Sequence, residues 1–88
     1  MLSPQEIADV ENRTDLVALI GQTVTLKPKG VRYVGLCPFH NERSPSFDVN
    51  PIKRIWGCHG CKTYGTGAID WLMAIDNIKF LEAYNKLA

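Results

Sequence analysis

Cys37-Pro38-Phe39-His40 and Cys58-His59-Gly60-Cys61 decide the fold of this 88-residue chain. Each tetrapeptide leaves two residues between its Cys or His ends, so one tight turn aims two side chains at one ion. Residues 41–57 separate the two turns, enough for a strand, a turn and a return strand. Two such knuckles facing each other supply the four tetrahedral Cys and His ligands that Zn²⁺ favours. The predicted set is Cys37, His40, Cys58 and Cys61, which uses all three cysteines of the chain. Four matched ligands leave no position for a reacting water, so the predicted role is one structural Zn²⁺ and no catalytic metal.

Other uses of these residues explain less. An odd number of cysteines leaves one over from any closed disulfide framework. A redox Cys-x-x-Cys would open a helix beside a βαβ unit, and no such pattern is present. A nucleophilic Cys61 with a histidine base would leave Cys37 without a role. His59 rivals His40 as fourth ligand, but its place inside the second knuckle directs its side chain away from the metal.

Outward from the knuckles the pattern is that of short strands, then helices. Val31 to Leu36 reads as a strand entering the first knuckle, with Arg32, Val34 and Leu36 on one face and Val31 and Tyr33 on the other. Thr23-Val24-Thr25-Leu26 alternates as a partner strand, joined through a Lys29-Gly30 turn. Phe47-Asp48-Val49 is a third strand, and Arg54-Ile55-Trp56-Gly57 returns into Cys58 across an Asn50-Pro51-Ile52-Lys53 turn. Lys62 to Gly67 reads as a glycine-bearing loop. Before the strands, Ser3, Pro4 and Glu6 form a capping box that opens a helix burying Ile7 and Val10. Thr14 or Asp15 caps a second helix with Leu16, Leu19 and Ile20 inward, stopped at Gly21. After the strands, Ile69, Leu72 and Met73 mark one helix, broken at Asp76-Asn77, and Phe80, Leu81, Tyr84 and Leu87 mark another. Such stripes are core rather than cofactor boxes. The fold class is α+β: a zinc ribbon, a small antiparallel sheet with two metal knuckles, over residues 23–66. Helices over 4–20 and 68–87 flank it in one zinc-binding domain, 1–88, expected to be part of a longer protein.

A chain of this size buries only about 60–65% of its unfolded surface. Its core is marginal, and a structural metal fits that shortage. No apolar run is long enough to span a membrane, and the N-terminus lacks the apolar stretch of a signal peptide. Thiolates committed to metal suggest a reducing compartment, so the expected location is cytoplasmic, with no membrane partner. The net charge of +1 hides an asymmetry. Residues 27–64 carry seven Lys or Arg against Glu42 and Asp48, while the flanks are net acidic. A one-sided positive segment is the electrostatic footprint of a nucleic-acid binder, or simply an uneven solvated surface.

The run Cys37-Pro38-Phe39-His40-Asn41-Glu42-Arg43-Ser44-Pro45-Ser46-Phe47 resembles the zinc motif of bacterial replicative DNA primases and of related phage and plasmid primases. Trp56-Gly57-Cys58-His59-Gly60-Cys61 and Ala68-Ile69-Asp70-Trp71-Leu72-Met73 match later parts of that pattern. So do Arg13-Thr14-Asp15-Leu16-Val17 upstream and Phe80-Leu81-Glu82-Ala83 downstream. The resemblance covers nearly the whole chain, with one departure: the loop between Cys61 and Ile69 is one residue longer than the common bacterial version. It implies a zinc domain that binds single-stranded DNA template and helps direct where RNA primer synthesis begins during DNA replication. A following RNA polymerase domain, of the same or a neighbouring primase, would join the nucleotides, and a replicative helicase is a further expected partner. This chain has no cluster of carboxylates to hold catalytic metal, so no catalytic residue is expected in it.

Single strands are held by a positive groove with aromatic rings on which bases stack. The predicted DNA-binding residues are Arg43, Lys53, Arg54, Trp56 and Lys62, with Arg32, Tyr33, Lys27 and Lys29 as outer contacts. Arg54 and Trp56 stand two apart on a strand and should share a face. Trp56 and Tyr33 have a second reading, as core. Phe39 is expected to shield the metal. Asn41, Glu42, Ser44 and Ser46 are expected to tie the loop after His40 to backbone amides and metal ligands. Two other functions compete. One is a protein-docking ribbon contacting the polymerase domain or a helicase through its helices. The other is a thiolate redox or metal sensor.

Overall fold

Ser3 starts the first helix, α1 (Pro4–Arg13), with a complete capping box. Its hydroxyl accepts from the Glu6 amide at 3.2 Å, and the Glu6 carboxylate accepts from the Ser3 amide at 3.3 Å. The computed structural model describes residues 2–41 and 43–88. Asp15 caps α2 (Leu16–Gly21) by accepting from the Ala18 amide at 3.0 Å. Five strands follow: β1 (Lys27–Lys29), β2 (Arg32–Gly35), β3 (Phe47–Asn50), β4 (Ile55–Cys58) and β5 (Thr63–Thr66). They pair in sequence order, every neighbour antiparallel. The chain closes with α3 (Gly67–Asp76), stopped by Asn77 in the left-handed conformation, and α4 (Phe80–Leu87).

The register divides the sheet into two unlike faces. Phe47, Val49, Trp56 and Cys58 point inward and are buried with Leu16 and Ile20 of α2 and Ile69, Trp71 and Leu72 of α3. Phe39, Phe47, Trp56 and Trp71 form one aromatic cluster, with ring centroids 5.3–6.5 Å apart. Alternation sends Lys27, Lys29, Arg32, Val34, Asp48, Ile55, Gly57 and Tyr64 to the opposite face.

Two cross-strand pairs build both faces at once. Trp56 pairs with Gly65, and Gly57 pairs with Tyr64. The Trp56 indole covers Gly65 on the inner face, and the Tyr64 ring covers Gly57 on the outer one. A Cβ at either glycine would collide with the aromatic ring above it, so each position needs glycine for close approach.

The sheet differs from the sequence expectation at both ends. Thr23 to Leu26 is not a strand: the Thr23 and Val24 amides bond back to the Ile20 carbonyl at 3.0 and 2.9 Å, extending the end of α2. Pairing begins at Lys27. At the other end, residues 63–66 of the predicted loop are the fifth strand.

Arg54 locks the sheet to the helices. It sits at φ +57°, closing the β3–β4 turn that Asn50 organises by accepting from the Ile52 and Lys53 amides. A left-handed non-glycine residue costs roughly 1–2 kcal/mol. Its guanidinium offsets that cost by donating to the Glu11 and Thr14 carbonyls at 2.6 and 3.1 Å and by lying 3.5 Å from the Glu11 carboxylate. That carboxylate accepts from the Ala68 and Ile69 amides at 2.7 and 3.1 Å, capping α3 from α1. Thr66, the residue at the N-cap, makes no such side-chain bond.

Candidate functional site

The strand ends bring four ligand atoms together. Those of Cys37, His40, Cys58 and Cys61 all lie within 4.8 Å of one another. Cys37 Sγ is 3.7 Å from Cys61 Sγ, and Cys58 Sγ is 3.8 Å from His40 Nδ1. A tetrahedral site with Zn–S bonds of about 2.3 Å has S···S edges of about 3.8 Å, so the donor set and its spacing fit one zinc ion. His59, the rival ligand, turns away: its Nε2 lies 3.2 Å from Asp48 and its Nδ1 3.4 Å from the Tyr64 hydroxyl.

Backbone amides prepare the sulfurs for charge. The Phe39 amide donates to Cys37 Sγ at 3.3 Å, and those of Gly60 and Cys61 donate to Cys58 Sγ at 3.3 and 3.5 Å. Ser46 Oγ lies 3.3 Å from Cys58 Sγ, the ligand-supporting role expected of that residue. Glu42, expected to serve the same loop, lies outside the described residues. Burial pushes both the Cys58 and Cys37 thiols up. At Cys58 the bonds from Ser46 and the Cys61 and Gly60 amides outweigh burial and bring it below the usual thiol value. At Cys37 burial prevails and the thiol stays well above it. Phe39 stacks on Trp56 at 6.0 Å, so the first knuckle packs directly on the aromatic core.

The outer sheet face is the second feature. Lys27 and Lys29 on β1 and Arg32 on β2 are exposed, and Arg32 donates to Asp48 at 3.1 Å. Tyr64, 56% exposed, rises from β5 with its ring edge-on to His59 at 6.0 Å.

Comparison with known proteins bears on this pairing of a metal centre and a sheet. The model of the CHC2 zinc finger family matches residues 2–88. This chain belongs to that family. It is 49% identical over 86 residues to a DNA primase of Enterococcus faecalis, covering 97% of this chain. It is 46% identical to the Escherichia coli K12 DNA primase over 82 residues, 93% of this chain. In each case it spans 14% of the primase's length. The crystal structure of the zinc binding and RNA polymerase domains of the Aquifex aeolicus primase matches with a TM-score of 0.87 at 35% identity. That match covers 100% of this chain and 21% of the Aquifex chain. As a CHC2 zinc finger, the chain holds its four ligands on a primase-like scaffold. Among the described residues no helix is long and apolar enough to cross a membrane.

Of the predicted DNA contacts, three side chains are engaged within the fold. Trp56 is 3% exposed, with its Nε1 donating to the Gly67 carbonyl at 3.0 Å, so no face is left for a base. Tyr33 pairs with Val49 on the inner face and packs against the core. Arg54 is spent on α1; its left-handed backbone breaks the alternation that was expected to align it with Trp56. Arg43, Lys53 and Lys62 are exposed, and Lys62 follows the second knuckle at φ +62°. Arg43 shares a cleft of 340 Å³ with Lys27 beside β2.

Proposed function

We propose that this CHC2 zinc finger holds single-stranded DNA template on the outer face of its sheet and thereby directs where RNA primer synthesis begins. One observation supports the reading above the rest. The helices bury one sheet face, while the other carries Lys27, Lys29 and Arg32 on β1 and β2 and an exposed tyrosine ring on β5. That is the combination single strands require: cations that track phosphates and a ring on which a base stacks. Arg43 extends the cationic strip beside Lys27, and Lys53 and Lys62 stand further off, in the β3–β4 and β4–β5 connections. The zinc is structural; it fixes the ends of β2 and β4 so that the strip keeps its shape.

Nucleotide joining would fall to a separate domain. The Aquifex structure pairs a zinc binding with an RNA polymerase domain in one protein. By that analogy the partner here is the polymerase domain of the same primase or a neighbour, with a replicative helicase as a further contact. Phe80 and Leu81, 39% and 58% exposed on α4, favour a docking role for the helical side. The two roles use opposite sides of the molecule.

The test is fluorescence anisotropy of a labelled single strand against the zinc-loaded chain. With about four phosphates engaged, log K should fall against log salt with a slope of about −3. Lys27→Glu, Lys29→Glu and Arg32→Glu together should abolish binding while zinc content stays the same. Undiminished binding in that triple variant would remove the outer face as the template site, and failure of the parent chain to bind at low salt would leave the docking reading.

A further inference from the structure

We propose that a groove on this outer face, walled by Tyr64, accepts one template nucleobase that carries an exocyclic amino group. The inference rests on the template reading above and assigns a reading site within it. The groove measures 530 Å³, within the range of roughly 300–1,000 Å³ typical of small-ligand sites. Arg32, Asp48, Gly57, His59, Tyr64 and Asp70 shape it.

Tyr64 is a preorganised platform. One side of its ring covers Gly57, its edge meets His59, and its hydroxyl lies 3.4 Å from His59 Nδ1. His59 is fixed in turn through its Nε2, 3.2 Å from Asp48. More than half of the tyrosine remains exposed. A base stacking there meets a ring held in place before binding, which limits the ordering cost of association.

The groove's charges oppose the face around it. Lys27, Lys29 and Arg32 attract phosphate, whereas Asp48 and Asp70 repel it. The backbone is therefore steered along the β1–β2 cations, and a base turns into the groove. An ionised carboxylate only accepts hydrogen bonds. Asp48 is already engaged through one oxygen by Arg32 and His59, and Asp70 accepts from the Thr66 amide at 3.0 Å. The remaining acceptor capacity suits the amino groups of cytosine, adenine or guanine, as carboxylates pair with cytosine N4 in duplex readout. Thymine offers no exocyclic amino group.

The experiment is NMR and anisotropy titration of the zinc-loaded chain with a thymine tetranucleotide and with the same strand carrying one cytosine, adenine or guanine. At least one amino-bearing strand should bind threefold or more tighter than thymine alone, with Tyr64 and His59 resonances moving most. Tyr64→Ala should weaken that strand roughly fivefold or more, in line with the loss of one stacked base. Tyr64→Phe should retain the ring and the preference. Asp70→Asn keeps an acceptor for the Thr66 amide, and should reduce the preference, Asp48 remaining as the second acceptor. Equal affinity for all strands, or a Tyr64→Ala variant that binds as well as the parent, overturns the groove assignment but leaves template binding standing. Failure of every strand to bind overturns both. Free cytidine, adenosine or guanosine monophosphate binding at Tyr64 as tightly as the strands would make this a mononucleotide site, which also overturns the template assignment.

Discussion

The two faces of this sheet are built from the same motif and do opposite things. Trp56-Gly57 on β4 runs antiparallel to Tyr64-Gly65 on β5, so each aromatic lies over the other strand's glycine. The inner ring is covered by α3 and Phe39 and has become core; the outer ring has no helix above it and stands in solvent. An aromatic on a strand next to a metal knuckle is thus not in itself a binding residue. What assigns its role is which side the helices cover, and register alone decides that.

Removing zinc should have the largest effect on both faces. Structural zinc contributes roughly 10–16 kcal/mol in zinc-finger peptides, far above the stability that a core of this size supplies. Chelation should therefore abolish the fold, read as loss of the near-ultraviolet circular dichroism of Trp56 and Trp71. Uptake should also be proton-linked. The cysteine thiols of the metal-free chain must give up their protons to bind. Zinc affinity should consequently fall as pH falls through the neutral range, by about tenfold per pH unit for each proton released. Competition against a chelator at several pH values measures it; a flat profile would contradict thiolate ligation.

Trp56→Ala should come next and act on the inner face alone. Emptying that site should cost about 3–5 kcal/mol of stability in denaturant unfolding. At temperatures where the variant stays folded, its affinity for single strands should match the parent's. A selective loss of binding without loss of stability would put the indole on the DNA side and break the distinction between the faces.

Arg54→Ala tests the bolt between ribbon and helices. It strips three contacts from the carbonyls and carboxylate of α1 while leaving the left-handed backbone strain. A loss of about 1–3 kcal/mol is expected, with DNA affinity nearly unchanged. Arg54→Gly should recover about 1 kcal/mol of that loss by relieving the strain. Chemical denaturation of the zinc-loaded variants measures both.

Much of this was legible in the sequence because local chemistry wrote it there. Ligand spacing gave the four zinc residues, the Ser3 capping box gave the start of α1, and Asn77 gave the break between α3 and α4. The errors have two causes, a helix end that runs on and long-range partners. Thr23-Val24-Thr25-Leu26 alternates like a strand, but the end of α2 claims its first amides. Residues 63–66 look like a loop because Gly65 and Gly67 follow the tyrosine, yet Gly65, together with Gly57 on the neighbouring strand, is what lets β4 and β5 approach. Arg54 reads as a free cation until Glu11, 43 residues earlier, is seen beside it. Charge clustering in residues 27–64 could not separate Arg32, which faces outward, from Arg54, which faces α1.

The most direct test of the division between the faces is an NMR titration of the zinc-loaded chain with a short single strand at low and moderate salt. The account predicts shifts at Lys27, Lys29, Arg32, His59 and Tyr64 that fade as salt rises, and none at the Trp56 indole, the Tyr33 ring or the Arg54 guanidinium. Shifts confined to α1, α3 and α4, or centred on the Trp56 indole, would contradict it.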